Sequence, residues 1–191
     1  MSIRRAHSAR VLAAGTSLRI VVLPAVMGLI LLGHGGTDGA YPAAAALFAL
    51  AAATDYFDGR LARRWGVATP LGSFLDTTAD KLLVSGVLVA LVAVGRASPW
   101  LAAAIIGREL AILGLRAAVA VAGTVVQPSL LGKWKATLQF AAIILAILRP
   151  GDPIGPAYLD EWALLIATAV SILSAVDYVA RFSSSIRQAA D

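Results

Sequence analysis

The sequence predicts an all-α membrane protein with six transmembrane helices, and its composition and the arrangement of its apolar residues are the reasons. Of the 191 residues, 59% are hydrophobic and only 14% are charged, and the mean hydropathy is +0.82. Soluble domains average about 45–50% apolar and about 25% charged residues. The apolar residues also fall in long blocks rather than in the alternation of a half-buried strand. A soluble domain is therefore disfavoured, and we expect helices surrounded by lipid.

Turn-rich breaks divide the chain into six apolar blocks, each close to the ~20 residues that a membrane span requires. The predicted helices lie at residues 16–33, 41–60, 73–95, 99–119, 134–149 and 160–181. The first of them follows a basic segment, as in a secretory signal, but residues 33–39 contain no A-x-A cleavage pattern, so we expect this helix to be retained. No linker separates a second domain, and residues 1–191 are expected to form a single transmembrane domain.

The basic residues predict the orientation of these helices. The chain carries a net charge of +5. If the six predicted helices cross the membrane in turn, all but two of the 16 Lys and Arg residues lie toward the membrane face that carries the N-terminus. The exceptions, Arg96 and Arg149, lie near the opposite ends of the helices, together with acidic residues such as Asp38 and Asp152. The positive-inside rule therefore places both termini in the cytoplasm of a multi-pass protein of the cell (inner or plasma) membrane. This topology explains the basic pI without a nucleic-acid partner.

Six of the 11 acidic residues lie within or at the ends of the predicted spans: Asp55, Asp58, Asp76, Asp80, Glu109 and Asp177. A charge at a helix centre costs about 2.5–3.5 kcal/mol even on lenient insertion scales, so these residues are functional candidates. At ~1.5 Å per residue, the first two lie ~21 and ~26 Å below the outer end of the second helix, and Asp80 and Asp76 lie ~22 and ~28 Å below that of the third. The four Asp carboxylates are therefore expected to meet at one cytoplasmic level.

Spacing also predicts that each pair of carboxylates shares one face of its helix, since Asp55 and Asp58 are i and i+3 and Asp76 and Asp80 are i and i+4. Four carboxylates repel one another unless cations neutralise them. All-oxygen ligands, in a chain without Cys, favour two Mg²⁺ or Mn²⁺ ions whose coordination a phosphate-bearing substrate completes. The alternative is a set of surface salt bridges with the neighbouring cations Arg60, Arg63, Arg64 and Lys81, which does not explain four Asp at one depth.

The segment from residue 55 to residue 80 resembles the signature of the CDP-alcohol phosphotransferase family, D-x2-D-G-x2-A-R-x8-G-x3-D-x3-D. Every fixed position is matched, by Asp55, Asp58, Gly59, Ala62, Arg63, Gly72, Asp76 and Asp80. Other segments resemble the bacterial phosphatidylglycerophosphate synthases of this family most closely. They are Thr16 to Arg19 with Pro24, Arg108-Glu109, Leu115-Arg116, residues 132–139, and Ser174 to Arg181.

The resemblance implies a homodimeric membrane transferase and a role for each residue of the signature. Asp55, Asp58 and Asp76, with Asp80 at the edge of the site, would hold two divalent ions, Mg²⁺ or Mn²⁺. Asp80 would also be the general base, taking the proton from an acceptor hydroxyl that attacks the β-phosphorus of CDP-diacylglycerol and expels CMP. The nucleotide would contact Asp55, Asp58, Gly59, Ala62, Arg63, Gly72 and Asp76.

A second set of charged residues concerns the acceptor. Arg116, Lys133, Lys135 and Arg181 lie near the predicted cytoplasmic interface and Arg108 lies deeper, an arrangement suited to an acceptor that bears its own phosphate. We therefore expect sn-glycerol 3-phosphate as the acceptor. Positive-inside anchoring is the alternative for each cation, and inositol phosphate, serine or phosphatidylglycerol are alternative acceptors.

Two further interpretations remain at this point. Arg108 and Glu109, close to the middle of the bilayer, are expected to point into a polar cavity or to pair with charges on neighbouring helices. From another functional class, a cation transporter also contains intramembrane carboxylates, but its site normally lies at the midplane. The predicted Asp level at one rim favours the transferase.

Overall fold

The computed structural model describes residues 19–65, 70–121 and 130–190, with side chains over 19–54, 74–118 and 134–181. Six helices follow one another: α1, described over Arg19–His34, α2 (Ala40–Trp65), α3 (Pro70–Ala93), α4 (Pro99–Val121), α5 (Leu130–Leu148) and α6 (Leu159–Ala190). Within these ranges there is no strand, only an isolated bridge between Ile154 and Ala157. Over the described residues, the prediction of an all-α chain with six helices is confirmed.

Two helices extend well beyond the predicted apolar segments. α2 continues from Arg60 to Trp65, and α6 continues from Arg181 to Ala190. Both extensions contain Arg and Ala, which are strong helix formers that do not require lipid. Hydropathy therefore marks where the apolar part of a helix ends, whereas the backbone hydrogen bonding continues into the polar extension.

One helical segment among the described residues, Leu159–Arg181, is long and apolar enough to cross a membrane by length and composition alone. Three shorter apolar segments are Arg19–His34, Ala40–Thr54 and Trp134–Leu148. Large apolar side chains are also exposed on several helices, among them Val21 on α1, Val89 on α3 and Leu173 on α6. Exposed apolar surface of this extent is typical of a surface that meets lipid or another protein.

The chain divides into two compact units, of which the first ends at Arg96 and contains α1, α2 and α3. Its buried apolar side chains come from all three helices: Val26 and Ile30, Phe48, and Leu83, Leu88 and Leu91. α1 packs closely on α3 at Gly86, where an added Cβ would lie 2.5 Å from Cδ1 of Leu23. A small residue at this position lets the two backbones come together.

Tyr41, at the start of α2, packs against the C-terminal end of α1. Its ring lies against the backbone of Gly33, where an added Cβ would be 2.9 Å from two ring carbons. On the ring, the guanidinium of Arg96 lies 3.5 Å from the centroid. Leu23 of α1 thus lies beside Gly86 of α3, and Gly33, ten residues after Leu23, lies near Arg96, which follows Gly86 by ten residues. Because the two contacts follow the same order along both segments, α1 and α3 run parallel.

The second unit begins at Ala97 and contains α4, α5 and α6, with α6 in contact with both of the others. Its apolar core includes Ile105, Ala142, Ile143, Ala146, Ile147, Leu164 and Ala167. Glu161 caps the start of α6 by accepting a hydrogen bond of 3.0 Å from the backbone N–H of Tyr158. In the same region Arg149 donates two hydrogen bonds, of 3.2 and 3.0 Å, to the fully buried carboxylate of Asp160.

We predict that Gly33→Val destabilises the first unit, because a side chain at this position displaces Tyr41 and with it the contact to Arg96. Overpacking of this kind costs about 1–3 kcal/mol. Gly28→Val is the matched control on the same helix, since an added Cβ at Gly28 meets nothing within 4 Å. Thermal unfolding in detergent should show a lower midpoint for Gly33→Val than for Gly28→Val. Equal midpoints would contradict the packing role of Gly33.

Candidate active site

The four aspartates of the signature lie on two consecutive helices. Asp55 and Asp58 are in the C-terminal half of α2, and Asp76 and Asp80 are in the first half of α3. Asp76 and Asp80 are both half-buried and one helical turn apart. The other six signature residues lie in the part of the chain whose side chains are not described: Asp55, Asp58, Gly59, Ala62, Arg63 and Gly72. The meeting of the four carboxylates therefore stays a prediction.

Asp76 forms an ion pair with a buried arginine of α1. Nη1 of Arg19 lies 2.7 Å from Oδ1 of Asp76 and 3.3 Å from the backbone oxygen of the same residue. The Arg19 side chain is 1% exposed, whereas 29% of the Asp76 side chain remains exposed. Asp76 is therefore anchored on one side and accessible on the other.

The described part of the site fits a divalent cation by the chemistry of its donors. Asp76 and Asp80 present carboxylate oxygens one turn apart, the ligands that Mg²⁺ and Mn²⁺ prefer. Among the described side chains no group of three or more His, Cys, Asp or Glu residues comes together. That Asp55 and Asp58 complete the ligand set stays a prediction.

In the second unit, Glu109 of α4 joins two of the predicted acceptor residues. Lys135 of α5 and Arg108 of α4 both donate to Oε1 of Glu109, the latter at 3.1 Å. Arg108 also donates to the backbone oxygen of Ser171 at 3.0 Å and to Oγ of Ser174 at 3.1 Å, both on α6. We call Arg108, Glu109, Lys135 and Ser174 the Glu109 cluster. It connects all three helices of this unit and combines two positive charges with one negative charge.

The remaining predicted acceptor residues have different surroundings. Arg181 is exposed and pairs with Asp177 one turn earlier, at 2.9 Å. Arg116 is also exposed, and its guanidinium lies 5.2 Å from the ring centroid of Tyr178. Arg116 and Arg181 therefore lie outside the Glu109 cluster, and the side chain of Lys133 lies outside the described residues.

The family model for CDP-alcohol phosphatidyltransferase matches residues 12–173, which include the signature and most of both units. The chain belongs to the CDP-alcohol phosphatidyltransferase family. It is therefore a transferase, and the resemblance found in the signature is confirmed.

Relatives in this family cover most of the chain. A protein of Mycobacterium tuberculosis named probable phosphatidylglycerophosphate synthase is 39% identical over 87% of this chain and 78% of its own length. Two proteins named CDP-diacylglycerol–glycerol-3-phosphate 3-phosphatidyltransferase, from Bacillus subtilis and Pseudomonas fluorescens, are each 36% identical to this chain. The one from Bacillus subtilis is matched over 85% of this chain and 84% of its own length, and the one from Pseudomonas fluorescens over 86% and 85%.

No role was predicted for Arg19, although it lies in the first-helix segment that carries the resemblance. An arginine within an apolar helix is the signal that identifies such a residue, since it must find a partner or reach water. For Arg108 and Glu109 the predictions were a polar cavity or pairing with neighbouring helices, and the structure shows the pairing. Both residues pair with polar groups of neighbouring helices.

We predict that Glu109→Gln strongly destabilises the second unit. The amide keeps the shape of the side chain but leaves Arg108 and Lys135 without the negative charge that they share, and breaking a buried ion pair costs about 3–5 kcal/mol. Arg181→Gln, which removes an exposed pair, should cost about 0.3–0.5 kcal/mol. Unfolding midpoints in detergent compare the two variants, and equal losses would refute a special contribution of the Glu109 cluster.

Proposed function

We propose that this protein transfers the phosphatidyl group of CDP-diacylglycerol to sn-glycerol 3-phosphate, giving phosphatidylglycerophosphate and CMP. The observation that carries the proposal is the complete family signature on α2 and α3, residues 55–80. Relatives that cover most of the chain bear the name of this reaction. Both substrates are anionic, and the chain offers oxygen ligands for cations on α2 and α3 and side-chain cations on α4 and α5.

In the proposed mechanism Asp80 accepts the proton of the acceptor hydroxyl. The oxygen attacks the β-phosphorus of CDP-diacylglycerol, a new P–O bond forms, and the bond to the pyrophosphate bridging oxygen breaks, so that CMP leaves with the electron pair. Proton transfer to a positioned carboxylate contributes about 10²–10⁴-fold to such a rate. No covalent intermediate with the protein is required.

Asp55, Asp58, Asp76 and Asp80 are the residues proposed to hold the divalent ions that this family uses, Mg²⁺ or Mn²⁺. When bound, such ions neutralise the charge of the pyrophosphate and of the departing CMP. The small residues Gly59, Ala62 and Gly72 leave room for the nucleotide, and Arg63 positions it. The hard oxygen donors of Asp76 and Asp80 on adjacent turns of α3 support this assignment.

For the acceptor phosphate we propose Arg116, Lys133, Lys135, Arg181 and Arg108. The meeting of Arg108 and Lys135 at Glu109 supports this assignment, because it brings two cations together and charge-assisted hydrogen bonds from such cations bind phosphate. Arg116 is exposed and lies over the ring of Tyr178, which orients its guanidinium while leaving N–H groups for a ligand.

We further propose that the chain is one catalytic domain with six membrane spans, both termini in the cytoplasm and the active site at the cytoplasmic face. The family match across both units and the distribution of Lys and Arg support this arrangement. The resemblance to the family also supports a homodimer in the cell membrane.

The first test is CMP release by the purified protein with CDP-diacylglycerol, Mg²⁺ or Mn²⁺, and a panel of acceptors. Glycerol 3-phosphate should give phosphatidylglycerophosphate, whereas inositol phosphate, serine and phosphatidylglycerol should give little product, and a chelator should abolish turnover. Turnover with another acceptor alone would overturn the proposed substrate and keep the family chemistry. Absence of any metal-dependent CMP release would favour a cation transporter.

Asp80→Asn should lower kcat by about 100-fold or more, since it removes the proposed base. Asp152→Asn is the matched control, because the same substitution falls on an exposed residue of the α5–α6 connection. CMP release should be unchanged in this control. Full activity of Asp80→Asn would refute the assignment of the base.

Arg116→Met should raise KM for glycerol 3-phosphate about 10- to 100-fold, because a hydrogen bond to a charged group contributes about 1.5–3 kcal/mol. KM for CDP-diacylglycerol should stay the same. Arg116→Lys keeps the charge and should show a smaller rise. A rise in both KM values, or in neither, would argue against an acceptor role for Arg116.

A further inference from the structure

The ion pair between Arg19 and Asp76 joins residues that lie at different distances from the contact between α1 and α3. α1 and α3 run parallel, with Leu23 opposite Gly86. Arg19 precedes Leu23 by about one turn, ~6 Å along the axis, whereas Asp76 precedes Gly86 by ten residues, ~15 Å. The Arg19 side chain therefore points toward the start of α3 to reach Asp76.

The surroundings of the guanidinium distinguish this contact from ordinary anchoring of a basic residue. Long basic side chains near helix ends normally bring their charge to the water interface. Arg19 instead is 1% exposed, and its charge is directed to a carboxylate of the family signature. A buried cation that meets a signature residue points to a role in the site.

The hydrogen bonds hold Asp76 in one orientation. Nη1 of Arg19 contacts both Oδ1 and the backbone oxygen of Asp76, at 2.7 and 3.3 Å. These two contacts fix the side chain relative to its own backbone, and the carboxylate keeps 29% of its surface accessible. Metal-ligating carboxylates are typically held by such outer hydrogen bonds, whose loss costs about 10- to 100-fold in metal affinity or activity.

We propose that Arg19 is a positioning residue for the divalent-cation site, acting through Asp76. By holding Oδ1, it orients the carboxylate so that the accessible side can bind the cation. The proposal rests on the proposed function, in which Asp76 is a metal ligand. Two other roles would leave different signatures: a structural tie between α1 and α3, and a charge balance that competes with the cation.

The test is a titration of CMP release with Mn²⁺ in the wild type, Arg19→Met and Arg19→Lys. For Arg19→Met the Mn²⁺ concentration that gives half-maximal activity should rise about 10- to 100-fold. Arg19→Lys keeps the charge but not the planar guanidinium, so its rise should be smaller but measurable. If Arg19→Met does not fold, the shift in Arg19→Lys decides.

Arg149→Met is the matched control, because it removes another arginine that pairs with a buried aspartate, Asp160, in the second unit. We expect it to lower the unfolding midpoint and to leave the Mn²⁺ dependence of the folded protein unchanged. A structural role for Arg19 would give this same result for Arg19→Met, with lower stability and unchanged Mn²⁺ dependence. That outcome would overturn the proposal.

Binding of Mn²⁺ is also measured without turnover, from the electron paramagnetic resonance signal of the free ion in the presence of protein. Arg19→Met should bind Mn²⁺ more weakly than the wild type by the same factor as in the activity titration. Tighter binding would identify charge balance instead and overturn positioning. If the wild type binds Mn²⁺ but releases no CMP, the proposed function fails while the binding comparison still decides the role of Arg19.

Discussion

Pairing of charges inside apolar helices is the constraint on which the rest of this structure depends. A charged side chain at the centre of a membrane helix costs about 2.5–3.5 kcal/mol even on lenient scales, so each one needs a partner or a path to water. Arg19 pairs with Asp76, Lys135 pairs with Glu109, and Arg149 pairs with Asp160. The first two of these pairs connect different helices, so they determine which helices are neighbours and how each is rotated about its axis.

Close packing in the first unit serves the same constraint. Gly86 admits Leu23, and Gly33 admits the ring of Tyr41 with Arg96 on it. Such contacts set the separation and the register of α1 and α3, since small residues let backbones approach where large ones would not. The register in turn decides whether the arginine of α1 can reach the aspartate of α3. Packing among apolar groups and the geometry of the polar site are therefore linked.

The charges of the two units suit different parts of the proposed reaction. The first unit carries the four signature aspartates, which are proposed to bind divalent cations and, through them, the pyrophosphate. In the second unit Arg108 and Lys135 both donate to Glu109, and these two cations are proposed to bind the acceptor phosphate. Arg108 and Lys135 are thus both structural and candidate binding residues. Both donate to one buried carboxylate, that of Glu109.

The number and order of the helices, the family and the spacing of the four aspartates were determined by the sequence alone, because hydropathy and the i, i+3 and i+4 relations are local properties of the chain. Local properties could not predict the polar extensions of α2 and α6, which need no lipid. Nor could they identify the partners of Arg19 and Glu109, which are 57 and 26 residues away. Those partners depend on which helix faces join, and only the packing of the folded chain decides that.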